Sequence, residues 1–205
     1  MADEAAGAPG EPGETFTLGV VADTHIPDRA RWLHPALIPT LRAAKVRAIL
    51  HCGDICTPRV MAALEQVAPV IGVRGNRDWA FANSLPWERR LEYAGVPLAL
   101  VHGHGTWGRY LWDKVLYVLR GYELRRYQQT WSHLAGAQVI VFGHTHRAEN
   151  HWQDGRLWFN PGPACGRLHP SIGLLHFCAP GQVQGEIVPL RGARLKRGIW
   201  IDENL

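Results

Sequence analysis

Five short apolar runs in this 205-residue chain stop at polar residues of one kind: GVVADTH, AILHCGD, VIGVRGNRD, LALVHGH and VIVFGHTH. Apolar runs without alternation read as strands buried on both faces, as in parallel or mixed sheets with covered sides. Ligands of α/β sheets collect outside the carboxyl ends of such strands, so these stops can converge on one crevice. One D-x-H in a chain with 11 histidines can be accidental. Five polar stops in a row are not explained by core packing, because buried polar groups without partners cost too much free energy. In GHTH, His144 and His146 stand two apart, which on extended backbone points them the same way; a shared role requires that conformation.

Around these stops the pattern alternates between strand and helix. TFTLGVVA reads as a first strand, residues 35–44 as a helix from the spacing of Leu37, Leu41 and Ala44, and residues 48–50 as a second strand. Residues 58–67 read as a helix opened by Thr57 as N-cap with Pro58 at its first position, followed by APVIGV as the third strand. The last third is rich in hairpins, turning at Ala94-Gly95, Asp154-Gly155 and Pro180-Gly181. An α/β fold with two packed sheets flanked by helices satisfies both halves. Residues 106–134 read as two helices broken at Gly121. Their aromatics (Trp107, Tyr110, Trp112, Tyr117, Tyr122, Tyr127, Trp131) interleave with arginines and form a core face, a lid over substrate or a contact for a homo-oligomer.

The expected organisation is a disordered leader over residues 1–14, acidic and rich in Ala, Gly and Pro, one domain over 15–190 with the helical insert at 106–134, and a surface tail over 191–205. The net charge of +4 suits phosphate-bearing ligands but is too mild to argue for nucleic acid. Cys52, Cys56, Cys165 and Cys178 form no CxxC pair, no signal-peptide pattern opens the chain, and no apolar run reaches a membrane span; a cytoplasmic location without membrane contact is expected.

Histidine, carboxylate and amide oxygen without thiolate suit borderline divalent ions such as Mn, Fe, Co, Ni or Zn. Asp23, His25, Asp54, Asn76, His102, His144 and His146 are too many for one tetrahedral site, but divide into two sets of four if one carboxylate bridges.

The ordered set DTH, GD, GNRD, HGH and GHTH resembles the calcineurin-like metallophosphoesterases. NPG at residues 160–162 and the short chain resemble their small bacterial and archaeal phosphodiesterase branch, over residues 18–178. The resemblance implies a four-layer α/β/β/α sandwich with two mixed β-sheets. It implies Asp23, His25, Asp54 and His146 on one ion, and Asp54, Asn76, His102 and His144 on the other, with Asp54 as the bridge. Mn is the expected pair of ions. The implied activity is hydrolysis of small phosphodiesters by in-line attack of a hydroxide held between the ions.

The chain departs from the family where many members carry GNH: the third residue here is Arg77, a poor general acid whose planar fork suits a phosphate oxygen. Arg77 is therefore expected to stabilise charge, leaving His104 to meet the leaving group. Asp78 is expected to orient the Arg77 loop and Asn160 to steady the GHTH turn. His51, His133, His151 and His176 read as structural or exposed, and Cys52 as a small core residue. The stretch after Asp54 reads GDICTPR, not GDxxDRG, which sets the chain apart from the protein phosphatases of the superfamily. No long basic groove supports a nuclease. The competing expectation is a protein-binding scaffold, since the retromer subunit resembling this family uses the fold that way; monoester hydrolysis is a further alternative.

Overall fold

The computed structural model describes residues 14–79, 84–103, 121, 123–166 and 168–203. Strands β1 (Phe16–Val21), β2 (Ala48–His51) and β3 (Val70–Gly72) run parallel; β9 (Ser171–Ala179) pairs antiparallel with β1 and β10 (Gln182–Pro189) antiparallel with β9, in the order β10-β9-β1-β2-β3. The second sheet has the order β4-β5-β6-β8-β7, from β4 (Glu88–Tyr93), β5 (Val96–Val101), β6 (Val139–Val141), β7 (Glu149–Gln153) and β8 (Arg156–Asn160), with β5, β6 and β8 parallel.

Side-chain alternation assigns each sheet two buried faces. Leu18, Val20 and Leu50 of the first sheet meet Leu98, Leu100, Val141 and Phe159 of the second in a shared core. On the first sheet's other face, Val21, Ile49 and Leu174 pack under α1 (Leu37–Ala43) and α2 (Pro58–Glu65) through Leu37, Leu41, Val60 and Leu64. The second sheet's outer face, with Val101, Ile140, Phe142 and Trp158, is covered by Trp131 and Leu134, which follow α3 (Leu124–Thr130). The result is the four-layer sandwich. Gly173 is required where β9 crosses β8, because a methyl there would overlap the Phe159 ring.

The hairpins turn where expected: Ala94 and Gly95 (φ 50° and 75°), like Asp154 and Gly155 (φ 51° and 73°), supply the two left-handed residues of a type I′ turn. Beyond Pro180 and Gly181 the register shifts at Gln182/Val183, leaving Cys178 as the extra residue of a bulge. Two details differ from expectation. The first helix is the shorter Leu37–Ala43, and Thr57 takes the extended N-cap conformation without its hydroxyl bonding the helix, so Pro58 opens α2 without a side-chain cap. Residues 104–120 and 122, with Trp107, Tyr110, Trp112, Tyr117, Tyr122 and the first half of the helical insert, lie outside the described residues.

Residues 193–202, expected in a surface tail, pair as a hairpin of β11 (Ala193–Lys196) and β12 (Ile199–Asp202) that turns at Arg197 and Gly198. The hairpin holds the loop between β1 and α1. Gly198 O accepts from Arg31 N (2.9 Å), Trp200 Nε1–H donates to Trp32 O (2.9 Å), and His34 Nε2–H donates to Ala193 O (3.1 Å) while its ring meets Trp200 edge-on. Nδ1 of the buried His34 accepts from Ala36 N (3.1 Å), so both nitrogens are used by the neutral ring.

Burial lowers the His34 pKa below its ordinary value, against a smaller opposing effect of the bond to Ala193. The unfolded chain binds this proton near pH 6.5 and the folded chain at lower pH, so stability falls as pH drops below about 6.5. His34→Gln keeps a donor for Ala193 without the titration. Its melting temperature should therefore decline less steeply than the parent's between pH 7.5 and 5, as calorimetry can measure; equal slopes would remove His34 as a source of the acid sensitivity.

Candidate metal centre

Pairing continues past the strand ends and brings the polar stops together. Asp23 N donates to Gly53 O (3.1 Å), His25 N to Asp54 O (3.0 Å) and Val73 N to His51 O (3.1 Å) in the first sheet, and Gly143 N to His102 O (3.1 Å) in the second. The sheets are tied across the core by His144 N to Asp23 Oδ2 (3.0 Å) and by His102 Nδ1–H to Cys52 O (2.7 Å). This second bond places a proton on His102 Nδ1 and turns Nε2 towards Asn76 Oδ1 and Asp54 Oδ1. Asp23, His25, Asp54, His144 and His146 all have positive φ, between 47° and 68°. Left-handed backbone at non-glycine residues costs free energy and clusters at functional sites.

That geometry corrects one expectation: His144 and His146 are not extended and do not share a direction. His146 Nε2 lies 3.2 Å from His25 Nε2 and 3.3 Å from Asp23 Oδ1, whereas His144 Nδ1 lies 3.1 Å from Asn76 Oδ1. Around them Asp54 faces two ways, with Oδ2 3.7 Å from His25 Nε2 and Oδ1 3.5 Å from His102 Nε2, and Asn76 Oδ1 lies 3.0 Å from His102 Nε2. For a cation with ligands at about 2.1 Å, neighbouring donors lie about 3.0 Å apart in an octahedron and about 3.4 Å in a tetrahedron. The separations fit edges of such polyhedra, and several exceed a good hydrogen bond. Asp23, His25 and His146 form one group within 4.8 Å, and Asp23, Asp54 and His102 another. All seven expected residues stand at this junction.

The electrostatics fit cations. Burial alone raises the Asp23 carboxyl, but the imidazoles beside it, His146 first and then His102, outweigh that and hold its pKa below the usual range. Burial raises Asp54, opposed by His102 and reinforced by Asp23. His25 is pushed down to about 3, first by burial, against the attraction of Asp23, so its ring is neutral and can ligate. Asp23 Oδ1 is buried and accepts no hydrogen bond among the described residues, an acceptor that a positive ion would satisfy.

Asp78 fixes the loops: its carboxylate accepts from Asp54 N (2.9 Å), Cys56 N (2.7 Å) and Gly75 N (2.7 Å). A methyl at Gly75 would overlap Asp54 Oδ1 and N, so glycine is required for this approach. Asn160 Nδ2 donates to Gly143 O (3.0 Å) and Thr145 Oγ1 (3.1 Å), and its Oδ1 accepts from Gly162 N (2.9 Å), which holds the GHTH turn. His51 is buried between Thr24 and Gly53 N, while His133, His151 and His176 contact Glu88, Glu149 and Glu186 away from the centre. Cys52 is fully buried.

Arg77 N donates to Asp54 Oδ1 (2.8 Å), and its Nη1 pairs with Asp28 Oδ2 (2.9 Å). Sequence reasoning missed Asp28 and Arg29. Arg29 Nη1 lies 3.0 Å from His146 Nδ1, placing a second cationic group at the centre's edge. Their only trace is the pair Asp-Arg directly after DTHIP. Asp28 also forms a group with His25 and Cys56 within 4.8 Å, but its oxygen already pairs with Arg77. His104 lies outside the described residues.

Comparison with known proteins adds the following. Residues 16–179 match the family model of the calcineurin-like phosphoesterase superfamily domain. A probable metallophosphoesterase of Methanothermobacter thermautotrophicus is 34% identical over 160 residues, 77% of this chain and 84% of that protein. Among solved structures, Vacuolar Protein Sorting 29 of Cryptosporidium parvum superposes with a TM-score of 0.65 at 20% identity, covering 85% of this chain and 97% of that one. A novel archaeal phosphodiesterase superposes with a TM-score of 0.55 at 23% identity, covering 84% and 99%.

Asp78→Asn turns one acceptor of three buried amides into a donor. It should destabilise the chelator-treated protein by about 2–3 kcal/mol in urea unfolding, the cost of unsatisfied buried groups. A loss below about 0.5 kcal/mol, the level of a surface substitution, would deny Asp78 this role.

Proposed function

The chain belongs to the calcineurin-like phosphoesterase superfamily, and from that premise we propose that it is a binuclear metal-dependent phosphodiesterase acting on small phosphodiesters. The observation carrying this reading is the two-way orientation of Asp54, whose oxygens face His25 on one side and His102 on the other. On this reading Asp23, His25, Asp54 and His146 hold one ion and Asp54, Asn76, His102 and His144 the other, with Mn expected. Two such cations supply a water of lowered pKa and neutralise phosphate oxygens.

The chain's own residues do the rest. Asp54 and Asp23 keep the donor groups adjacent. Arg77, anchored through its backbone amide to Asp54 and through its guanidinium to Asp28, offers its remaining donors to a phosphate oxygen as charge builds there. Arg29 is placed to do the same beside His146. A guanidinium does not give up its proton, so Arg77 stabilises charge and His104 is assigned to the leaving oxygen.

An archaeal phosphodiesterase shares the fold at 23% identity, which makes diesters the first substrates to test. The likeness to Vacuolar Protein Sorting 29 is the specific observation behind a second reading, a non-catalytic scaffold with protein partners. At 20% identity it bears on fold alone, and the complete donor set favours the enzyme. Among the described residues no helix is long and apolar enough to cross a membrane.

Mn-loaded protein should hydrolyse bis(4-nitrophenyl) phosphate faster than 4-nitrophenyl phosphate, and Asp54→Ala should lose bound Mn by elemental analysis together with about 100-fold or more of kcat. The opposite substrate preference would remove the diester assignment and leave the centre standing. Inactivity with every metal and ester would favour the scaffold.

Arg77→Ala separates the roles: kcat should fall about 10- to 1,000-fold with Mn content unchanged, as for loss of a charge-stabilising donor. Loss of Mn in that variant would make Arg77 a support of the centre instead.

A further inference from the structure

Among the described residues, one cavity reaches the centre at His146, and another lies beyond the residues that follow His25 and Asp54. The first, of about 740 Å³, runs from His146 between Arg147, Glu149, Arg191 and Glu203; it carries both signs of charge, and its rings are the imidazoles of His146 and His169. The other, of about 640 Å³, lies between the β1–α1 loop and the two helices of the first sheet. It is of a size that takes a drug-sized or nucleotide-sized ligand. Its walls are apolar, from Ile26, Pro27, Ile38 and Val60, with Trp32 at its edge, and the charged residues lining it, Arg31 and Arg59, are both cationic.

Its position ties it to the reaction. Ile26 and Pro27 directly follow His25, so the near wall begins within about 7 Å of chain from that ligand, at 3.3–3.6 Å per residue. The facing wall, Thr57 to Val60, leaves the Asp54 loop three residues after Asp54. Trp32 is 62% exposed, although its carbonyl is held by Trp200 and its neighbour Arg31 by Gly198. A large aromatic surface kept on an anchored backbone beside an apolar cavity offers a stacking face, and two arginines complement an anion.

We propose that this cavity is the subsite for the group that a phosphodiester retains after hydrolysis, and that it takes a planar aromatic group of nucleobase type linked to the anionic phosphate. The proposal rests on the phosphodiesterase reading and adds its substrate class: nucleotide diesters in preference to alkyl diesters. With the scissile phosphate at the seven donors, the base lies between Trp32 and Ile38. Arg31 and Arg59 line the cavity and give it a positive potential that attracts an anionic ligand. One water is consumed, the P–O bond to the leaving group breaks, and the nucleoside monophosphate stays attached to the cavity until release.

The test holds the leaving group constant. Thymidine 5′-(4-nitrophenyl) phosphate and methyl 4-nitrophenyl phosphate each release 4-nitrophenolate, with the water's protons passing to solvent, and differ only in the retained group. The Mn-loaded protein should favour the thymidine ester at least about 10-fold in kcat/KM, the value of one well-filled apolar contact. Trp32→Ala and, separately, Ile38→Glu should each bring that ratio close to one, and because a ratio is read, a general loss of activity cancels. Equal use of both esters by the parent, or a preference that survives both substitutions, overturns the subsite and spares the phosphodiesterase reading. Hydrolysis of neither ester overturns both.

Discussion

A carboxylate with no exposure sits at the junction of two sheets, and most of the centre's geometry follows from holding it there. Asp23 Oδ2 accepts the amide of His144 from the opposite sheet, while Oδ1 accepts no hydrogen bond among the described residues and faces His25 and His146. Burying a charge without compensation costs more than one domain can spare, and Asp54 stands close enough to make matters worse by repulsion. Neutral imidazoles and oriented amides meet part of that cost. Metal ions bound there would meet the rest, which makes the arrangement intelligible as a metal centre and poorly suited to serve as core.

Holding the carboxylates requires strained and close-packed backbone around them. The chain leaves β1 and β6 through left-handed residues that are not glycine and leaves β2 through left-handed Gly53 and then Asp54, while Gly75 is glycine because Asp54 leaves no room for a methyl. Asp78 offsets some of that strain by accepting three amides from two loops. The centre is therefore less a set of ligands than a clasp between parallel strand ends, with Asp78 and Asn160 as its rivets.

Much of this could be read in the sequence because burial on both faces leaves a plain signature. Runs such as GVV, AIL and VIVF have no alternation to confuse with an exposed strand, and Ala94-Gly95 and Asp154-Gly155 announce left-handed turns. The four layers and the meeting of the seven residues were legible for that reason. What was not legible depends on tertiary partners. Nothing local says that Thr57 will leave α2 uncapped, or that His144 and His146 will turn in different directions; the second outcome is set by the Asp23 and Asn160 bonds, which come from elsewhere in the chain. Asp28 and Arg29 look like ordinary loop charges until the fold sets them against Arg77 and His146.

The last hairpin shows how far such dependence reaches. ARLKRGIWID alternates as a strand pair should, yet its Arg-Gly turn lacks the usual Asn or Asp, so its basic character suggests a solvated tail. Folded, it supplies bonds to Arg31, Trp32 and His34, in a loop that has no strand or helix of its own between β1 and α1. A loop without such support would spread over many conformations, and ordering it would draw on binding energy at every encounter with a ligand. Because this loop also carries Asp28 and Arg29 and begins at His25, the hairpin stiffens the cavity wall and the cationic edge of the centre together. Distance along the chain thus hides a mechanical neighbour of the active residues.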